Sequence, residues 1–470
     1  RLYAVQRISE FSDDDLALYL LELVQALIYE DQHWSPLGEF LLERSLSNPQ
    51  MIGHEFFWLL RSQLHIKPSF ERFGLLLEQF LMLCGSFAKE LEDEMLANLL
   101  ITEVAEEVPR MEKTVRLARA RDKIAQLRQR GLPDDFAISI DTRMRGCDFA
   151  AEECRIMDSK KLPLLLSIKN VQPDAKNIKI IFKTGDDLRQ DLLTIQLIRI
   201  MDKIWLDNGL DLRMKPYRVQ STADQVGMIE LVPDSENTSD IHQKYGIGGA
   251  IGALSKNTIL NFIERFNTDK ESMENAKENF IRSTAGYSVA TYILGIGDRH
   301  SGNIMVTKNG HLFHIDFGHF LGHFKKKFGI NRERTPFVFT EEMAHVMGGK
   351  GSPDFSKFSN FCTQAYNLVR NKGNLIISLF IIMLAAGMPE LADYSDIEYL
   401  KNQLSLDLSE MEANNKFINE IHNSLDDAFR RIDNLFHALK RKTEKSTKKD
   451  KDKAKKEKTA EEANAANENK

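Results

Sequence analysis

Within residues 295–318 the chain reads GIGDRHSGNIMVTKNGHLFHIDFG, and four of these side chains, Asp298, His300, Asn303 and Asp316, are of types that phosphoryl transfer uses. That reaction needs little covalent help. It needs a divalent cation on the phosphates, a group to handle the proton of the attacking hydroxyl, and fixed positive charge around the migrating group. Asn303 and Asp316 offer the hard oxygen ligands that Mg2+ prefers. Asp298 and His300 are then left to manage the hydroxyl. Taken singly, an Asp in a turn is a cap and a His is a packed residue; the ordered set Asp, Asn, hairpin, Asp-Phe-Gly is far rarer than its parts. NIMV and HLFHI are short apolar runs separated by Thr307, Lys308, Asn309 and Gly310, and an Asn-Gly pair between such runs predicts a β-hairpin. Folding at that turn sets the two loops side by side, where Asn303 and Asp316 can reach one metal.

Upstream of this stretch, from about Cys154 to Val232, the pattern is of strands: LPLLLSIKN, NIKIIFK and GMIELV, with turns at Gln172-Pro173-Asp174 and Thr184-Gly185-Asp186. Between them DLRQDLLTIQLIRIMDKIWLDNG carries Leu188, Leu192, Ile195 and Ile198 along one helical face and closes on Gly209. A small sheet with one packed helix is the plan of a kinase amino-terminal lobe, in which a strand lysine neutralises nucleotide phosphates and a helix carboxylate steadies it. Lys183 and Asp191 fall at those positions. Taken alone, each reads rather as a snorkelling lysine and a solvated helix acid. The glycines of YGIGGAIGALS have the spacing GxGGxxG, not GxGxxG, and predict a flexible turn, not a nucleotide loop.

From Leu16 to about Leu127 the chain is a run of amphipathic helices, LALYLLELVQALIY, LGEFLLERSL, HEFFWLLRSQL and RFGLLLEQFLMLCGSFAKEL, divided by SNPQ and IKPS. Stacked helix pairs of a solenoid-like domain are the expectation. His33, His54 and His65 lie here without metal-like spacing and read as core or surface residues. A charged helix, MEKTVRLARARDKIAQLRQR, and the breakers Gly131 and Pro133 mark the exit. The fold class is therefore α+β: an all-α helical-repeat domain over 1–132, then a bilobal kinase-like domain. Its small β-rich lobe with a linker covers 133–232, its larger, mainly helical lobe 233–441, and a disordered Lys-rich tail 442–470.

Bulk properties narrow the function. Apolar residues make up 42% of the 470 and charged ones 28%, the balance of a globular chain of two or three domains. A net charge of -6 argues against bulk nucleic-acid binding. Cys84, Cys147, Cys154 and Cys362 show no CxxC pairing and read as reduced and mostly buried. No signal peptide is seen, and LIISLFIIMLAA is too short to span a bilayer, so any membrane contact is expected to be peripheral. A start on Arg1, directly in helical pattern, suggests a fragment lacking upstream domains.

DRHSGN followed by HIDFGH resembles the catalytic and activation loops of the phosphoinositide 3-kinases, where protein kinases read His-Arg-Asp. The likeness runs from GHEFFWLL and RFGLLLE through EECRIMDSKK and FKTGDDLRQD to AGMPEL. It implies a class I catalytic subunit that uses ATP and Mg2+ in the cytoplasm and is recruited peripherally to the plasma membrane. By this resemblance Ser159 and Lys161 sit in the phosphate-covering loop, Lys183 on the α-phosphate, and Asp191 with Tyr217 deep in the nucleotide pocket. Glu230, Leu231 and Val232 form the adenine hinge, with Ile229, Met305 and Ile315 as apolar walls. Asn303 and Asp316 hold Mg2+, while Asp298, His300 and His319 are the candidates for proton handling, the base among them left open. Asp158 in the phosphate loop and Leu165, where the family often has Trp, depart from the pattern. A regulatory adaptor and a Ras-type GTPase are implied as partners through upstream domains.

The segment DFGHFLGHFKKKFGINRERTPF is dense in Lys325, Lys326, Lys327, Arg332 and Arg334. Beside an Asp-Phe-Gly the acceptor headgroup must dock, and ring phosphates each call for a cation. The expected acceptor is phosphatidylinositol 4,5-bisphosphate, with Lys325, Lys326 and Arg332 as its contacts and the 3-hydroxyl as the nucleophile. DDAFRRIDNLFHALKRK offers an apolar face flanked by bases, fit to pack on the lobe or to lie on an anionic membrane. Competing readings are a class II or class III member, a related Ser/Thr protein kinase, and an inactive kinase-like scaffold; intact Asp298, Asn303, Asp316 and Lys183 disfavour the scaffold.

Overall fold

The computed structural model describes residues 1–246, 256–323 and 335–426, and the backbone alone of 326–327 and 330–331. The turn expected at YGIGGAIGALS, the helix and tail expected after residue 426, and Lys325 and Arg332 therefore lie wholly or largely outside the described residues. The chain forms two compact units. The first comprises Arg1–Asn208, Pro216–Pro233 and Val369–Leu406; the second comprises Gly209–Lys215, Asp234–Leu368 and the described residues from Asp407.

The first unit opens on helices α1 (Leu2–Ile8), α2 (Asp13–Ala26), α3 (Pro36–Ser47), α4 (His54–Arg61) and α5 (Lys67–Leu83). Ser12 caps α2 by accepting the Asp15 N–H, and three aspartates in its first turn complement the helix dipole. Ser35 and Pro36 start α3 in the same way. Leu16, Leu20, Leu41, Phe56, Phe73 and Phe80 from these helices are fully buried. The SNPQ breaker does not form a loop: Pro49–Gly53 is a wide helical turn that runs straight into α4. RFGLLLEQFLMLCGSFAKEL, continuous as an apolar pattern, breaks at left-handed Gly85 (φ 60°) into α5 and α6 (Phe87–Glu107). Of the charged stretch Arg116–Ala125 forms an α-helix, α7, held by buried Ala120 and Ile124, and Arg128–Arg130 a short 3-10 turn.

The strands β1 (Phe136–Ile138), β2 (Asp141–Phe149), β3 (Arg155–Ile156), β4 (Leu164–Asn170), β5 (Ile178–Thr184), β6 (Val219–Ala223) and β7 (Val226–Glu230) pair antiparallel in the order β1-β2-β4-β5-β7-β6, with β3 on β4. Leu100, Ile101 and Val104 of α6 share one apolar core with Phe136, Leu166, Ile180 and Phe182, so packing continues across residue 132. α8 (Arg189–Asp207) follows β5 and packs on β6 and α2. Its apolar surface is wider than one face, because Leu193, Leu197, Ile200 and Met201 are buried as well as Ile195 and Ile198. Helices Gly373–Met383 and Tyr394–Leu404 complete this unit.

In the second unit α9 (Thr238–Tyr245), α10 (Thr258–Phe266), α11 (Lys270–Leu294), α12 (Glu341–Val346) and α13 (Pro353–Arg370) dominate. α11 is buried at every residue from Ser283 to Leu294, which makes it the axis of the unit. Rings of Tyr292, Phe337, Tyr366 and Phe417 meet around it with centroids 5.1–6.2 Å apart. No single helix among the described residues is long and apolar enough to cross a membrane. All four cysteines are free thiols, and Cys84, Cys154 and Cys362 are buried.

Candidate active site

All of the groups read from residues 295–318 belong to the second unit. α11 ends at left-handed Gly295 (φ 58°), which turns the chain out of the helix into the loop holding Asp298 and His300. The expected hairpin is present: β9 (Ile304–Thr307) and β10 (Leu312–His314) pair antiparallel, Val306 facing Leu312 and Ile304 facing His314. Gly310 closes the turn with φ 89°, and a Cβ there would stand 2.1 Å from the Ala276 carbonyl oxygen of α11. Only glycine fits. A third strand, β8 (Ser235–Asn237), pairs with β9 and had no signal in its polar sequence.

Beyond the hairpin the two loops are tied backbone to backbone. Ile315 N–H donates to the Asn303 carbonyl at 3.1 Å, and Gly297 N–H donates to the His319 carbonyl at 2.9 Å. Asp316 thus follows the residue opposite Asn303, and His319 lies alongside the entry to Asp298. Asp298 and Asp316 both adopt left-handed backbone, φ 55° and 63°. The Asn303 side-chain amide donates to the Asp298 carbonyl at 3.0 Å. That bond assigns the amide nitrogen and so leaves the amide oxygen as the atom able to ligate a cation; Asn303 is buried and Asp316 exposed. An amide oxygen and a carboxylate are a donor set that fits Mg2+ completed by phosphate oxygens. Among the described residues no group of three or more His, Cys, Asp or Glu is arranged to hold a metal without such help. His300 Nδ1 accepts the Gly302 N–H at 3.0 Å. Met305 and Ile315 are half-buried on β9 and just beyond β10. Lys326 lies in a two-residue strand, β11 (Lys326–Lys327), paired with β12 (Ile330–Asn331).

The first unit carries the remaining candidates. Lys183 is the penultimate residue of β5, and its ammonium lies 3.9 Å from Asp186, three residues on. Asp191 is buried in the first turn of α8. Ser159 and Lys161 are exposed in the turn between β3 and β4, where Lys161 Nζ donates to the Gly185 carbonyl at 2.7 Å. The turn over 157–163 and the turn after β5 are thereby joined by a cation. Asp158 is exposed in the same turn and Leu165 is half-buried on β4. Tyr217 is buried, and its carbonyl accepts from Arg199 at 3.1 Å. Ile229 and Glu230 end β7, with Leu231 and Val232 half-buried after them. The Glu230 carboxylate accepts the Arg218 N–H at 2.9 Å, which locks the end of β7 to the segment leading into β6.

Comparison with known families gives two matches. The description "Phosphatidylinositol 3- and 4-kinase" fits residues 177–393, and "Phosphoinositide 3-kinase family, accessory domain (PIK domain)" fits residues 1–93. The chain belongs to the phosphoinositide 3-kinase family. Phosphatidylinositol 3-kinase 1 of Dictyostelium discoideum is 46% identical over 439 residues, and phosphatidylinositol 3-kinases 2 and 3 of that organism are 43% and 41% identical over 441 and 426 residues. Those alignments cover 93%, 93% and 90% of this chain, but the chain spans only 28%, 23% and 25% of the relatives' lengths. A helical accessory domain followed by a kinase domain is thus the architecture of the chain.

Other residues of these motifs make contacts that their spacing does not reveal. Arg299, between two candidate catalytic residues, is buried. Arg189 and Asp187 form a fork, and Arg189 Nη1 also donates to the Ala386 carbonyl at 2.7 Å, while Gln190 reaches Glu390 at 3.3 Å. The segments GDDLRQD and AGMPEL, far apart in sequence, are therefore one structure. Burial pushes the Asp187 carboxyl up, but the Arg189 guanidinium outweighs it and holds the group below its ordinary range. His311, beside the hairpin turn, is pushed down to about 4 by burial, with Lys215 and Arg213 adding to the effect. It stays neutral near pH 7 and serves the turn, its Nδ1 lying 3.2 Å from the Asn309 side chain. Of the three histidines of the helical region, His54 is buried against Glu94 at 3.1 Å, and His33 and His65 lie near Glu71 and Asp224.

Proposed function

We propose that the chain is the accessory and kinase part of a phosphatidylinositol 3-kinase that transfers the ATP γ-phosphate to the 3-hydroxyl of phosphatidylinositol 4,5-bisphosphate, as a class I enzyme does. The observation that carries the chemistry is the pairing of the Asn303 and Asp316 loops across the base of one hairpin, with Asp298 and His300 in the adjoining loop. On this reading Mg2+ held by Asn303 and Asp316 would neutralise the phosphates. Lys183, with Ser159 and Lys161, would meet the phosphates, Asp191 and Tyr217 would line the pocket, and the 229–232 segment would take adenine. Lys325, Lys326 and Arg332 would meet the ring phosphates; the basic sequence supports this choice of lipid. The same reading has the enzyme work in the cytoplasm and dock peripherally on the anionic face of the plasma membrane. A regulatory adaptor and a Ras-type GTPase belong to the proposal on family resemblance alone.

The test is a vesicle assay that offers phosphatidylinositol, its 4-phosphate and its 4,5-bisphosphate in turn, with the ring position of the product determined. The expected result is Mg2+-dependent 3-phosphorylation that favours the bisphosphate, and a loss of about 1,000-fold or more in kcat for Asp316→Asn. Equal use of all three lipids would remove the class I reading. Turnover persisting in Asp316→Asn would remove the metal assignment.

A further inference from the structure

We infer that Arg299 is a positioning residue that locks the proton-handling loop to the metal-holding loop, an assignment that rests on the function proposed above. Its guanidinium is buried beneath both loops and is spent on main-chain oxygens from each. Nε donates to the Gly297 carbonyl and Nη1 to the Ile315 carbonyl, both at 2.7 Å, and Nη2 donates to the Asp316 carbonyl. One planar fork thus holds the residue before Asp298 and two consecutive residues that end in a metal ligand. The guanidinium carbon also lies 5.5 Å from the centre of the Phe317 ring, which fixes the residue after Asp316 as well.

This arrangement matters because the backbone it grips is strained. Asp298 and Asp316 both sit at positive φ, a conformation that a non-glycine residue keeps only where its surroundings impose it. Each residue is next to, or is itself, an acceptor of Arg299. The two cross-loop bonds, Gly297 N–H to His319 and Ile315 N–H to Asn303, have donors whose own carbonyls accept from Arg299. Gly297 and Ile315 are therefore each held through both of their flanking peptide units. Lysine keeps the charge but replaces the fixed fork with a compact ammonium, and methionine keeps much of the volume with neither charge nor fork.

The test compares Arg299→Lys and Arg299→Met with the unaltered chain by amide hydrogen exchange, by Mg2+ titration of turnover, and by thermal melting. In both variants the Gly297 and Ile315 amides are expected to exchange about tenfold faster or more, with melting temperatures within about 4 °C of the parent. Turnover is expected to fall about 100-fold and the half-saturating Mg2+ concentration to rise about tenfold, while KM for ATP stays within about twofold. Unchanged exchange at the two amides overturns the inference, as does parental turnover with a parental Mg2+ requirement. A melting temperature lowered by more than about 10 °C in both variants assigns Arg299 to general stability and overturns it equally. If the unaltered chain phosphorylates no lipid, the proposed function fails, and the exchange measurement still decides whether Arg299 joins the loops.

Discussion

The hydrogen bond from Gly302 N–H to His300 Nδ1 decides where the proton of the neutral imidazole sits: on Nε2, because Nδ1 is already an acceptor. On the proposed reading His300 then acts as an N–H donor toward the phosphoryl oxygens. To take the hydroxyl proton on Nε2 it would have to carry its own proton on Nδ1, donor against donor with Gly302. Asp298 is left as the better acceptor for that proton. His300→Asn keeps an oxygen near the Nδ1 position for Gly302 but has nothing in place of Nε2. Its kcat is expected to fall about 100-fold, with KM for ATP little changed. Steady-state kinetics beside a melting curve check this, and near-parental turnover would show that Nε2 does no work in the reaction.

At the scale of elements the hairpin was legible because its signal is local: an Asn-Gly turn between apolar runs specifies one geometry within a dozen residues. Gly310 is the point at which that local signal meets tertiary structure. Gly310→Ala would place a methyl carbon against the Ala276 carbonyl in a backbone conformation that alanine disfavours. The expected cost is about 2–4 kcal/mol, read as a lower urea midpoint, and activity falls with it because β9 and β10 carry both loops. A loss below about 0.5 kcal/mol would mean that the hairpin shifts away from α11 freely. Strands whose residues are polar were not legible: β2 reads DTRMRGCDF and β8 reads SEN, and each is a strand only because a neighbour pairs with it. The candidate site divides in the same way. Asp298, Asn303 and Asp316 stand out by type and spacing, whereas Arg299 and the Asp187–Arg189 fork act on distant carbonyl groups that no spacing rule reveals.

At the scale of the molecule, the helical region and α8 meet through acids that the proposed chemistry does not use. Glu22 of α2 is buried, and its Oε2 accepts from Gln196 of α8, while Oε1 has no hydrogen-bond partner. Burial pushes its carboxyl up to about 8, against an ordinary value near 4.5. Nearby Glu55, on the wall of a cavity of about 480 Å³ shared with Gln196, Arg199 and Arg218, is pushed by burial to about 7 even though Arg199 and His54 pull it back. For both groups the folded protein holds the proton more tightly than the unfolded chain. Stability is therefore greatest below the ordinary carboxylate range and declines as pH rises, until the folded-state values are passed. The Glu22 contribution to that decline is on the order of a few kcal/mol between about pH 5 and pH 8. Glu22→Gln removes the titrating proton and keeps an amide near Gln196, so urea midpoints measured from pH 6 to pH 9 should fall less steeply in the variant, which should be the more stable protein above pH 8. Parallel pH profiles for the two proteins would mean that Glu22 is ionised in the fold, with a cation or water reaching α2 from the cavity side.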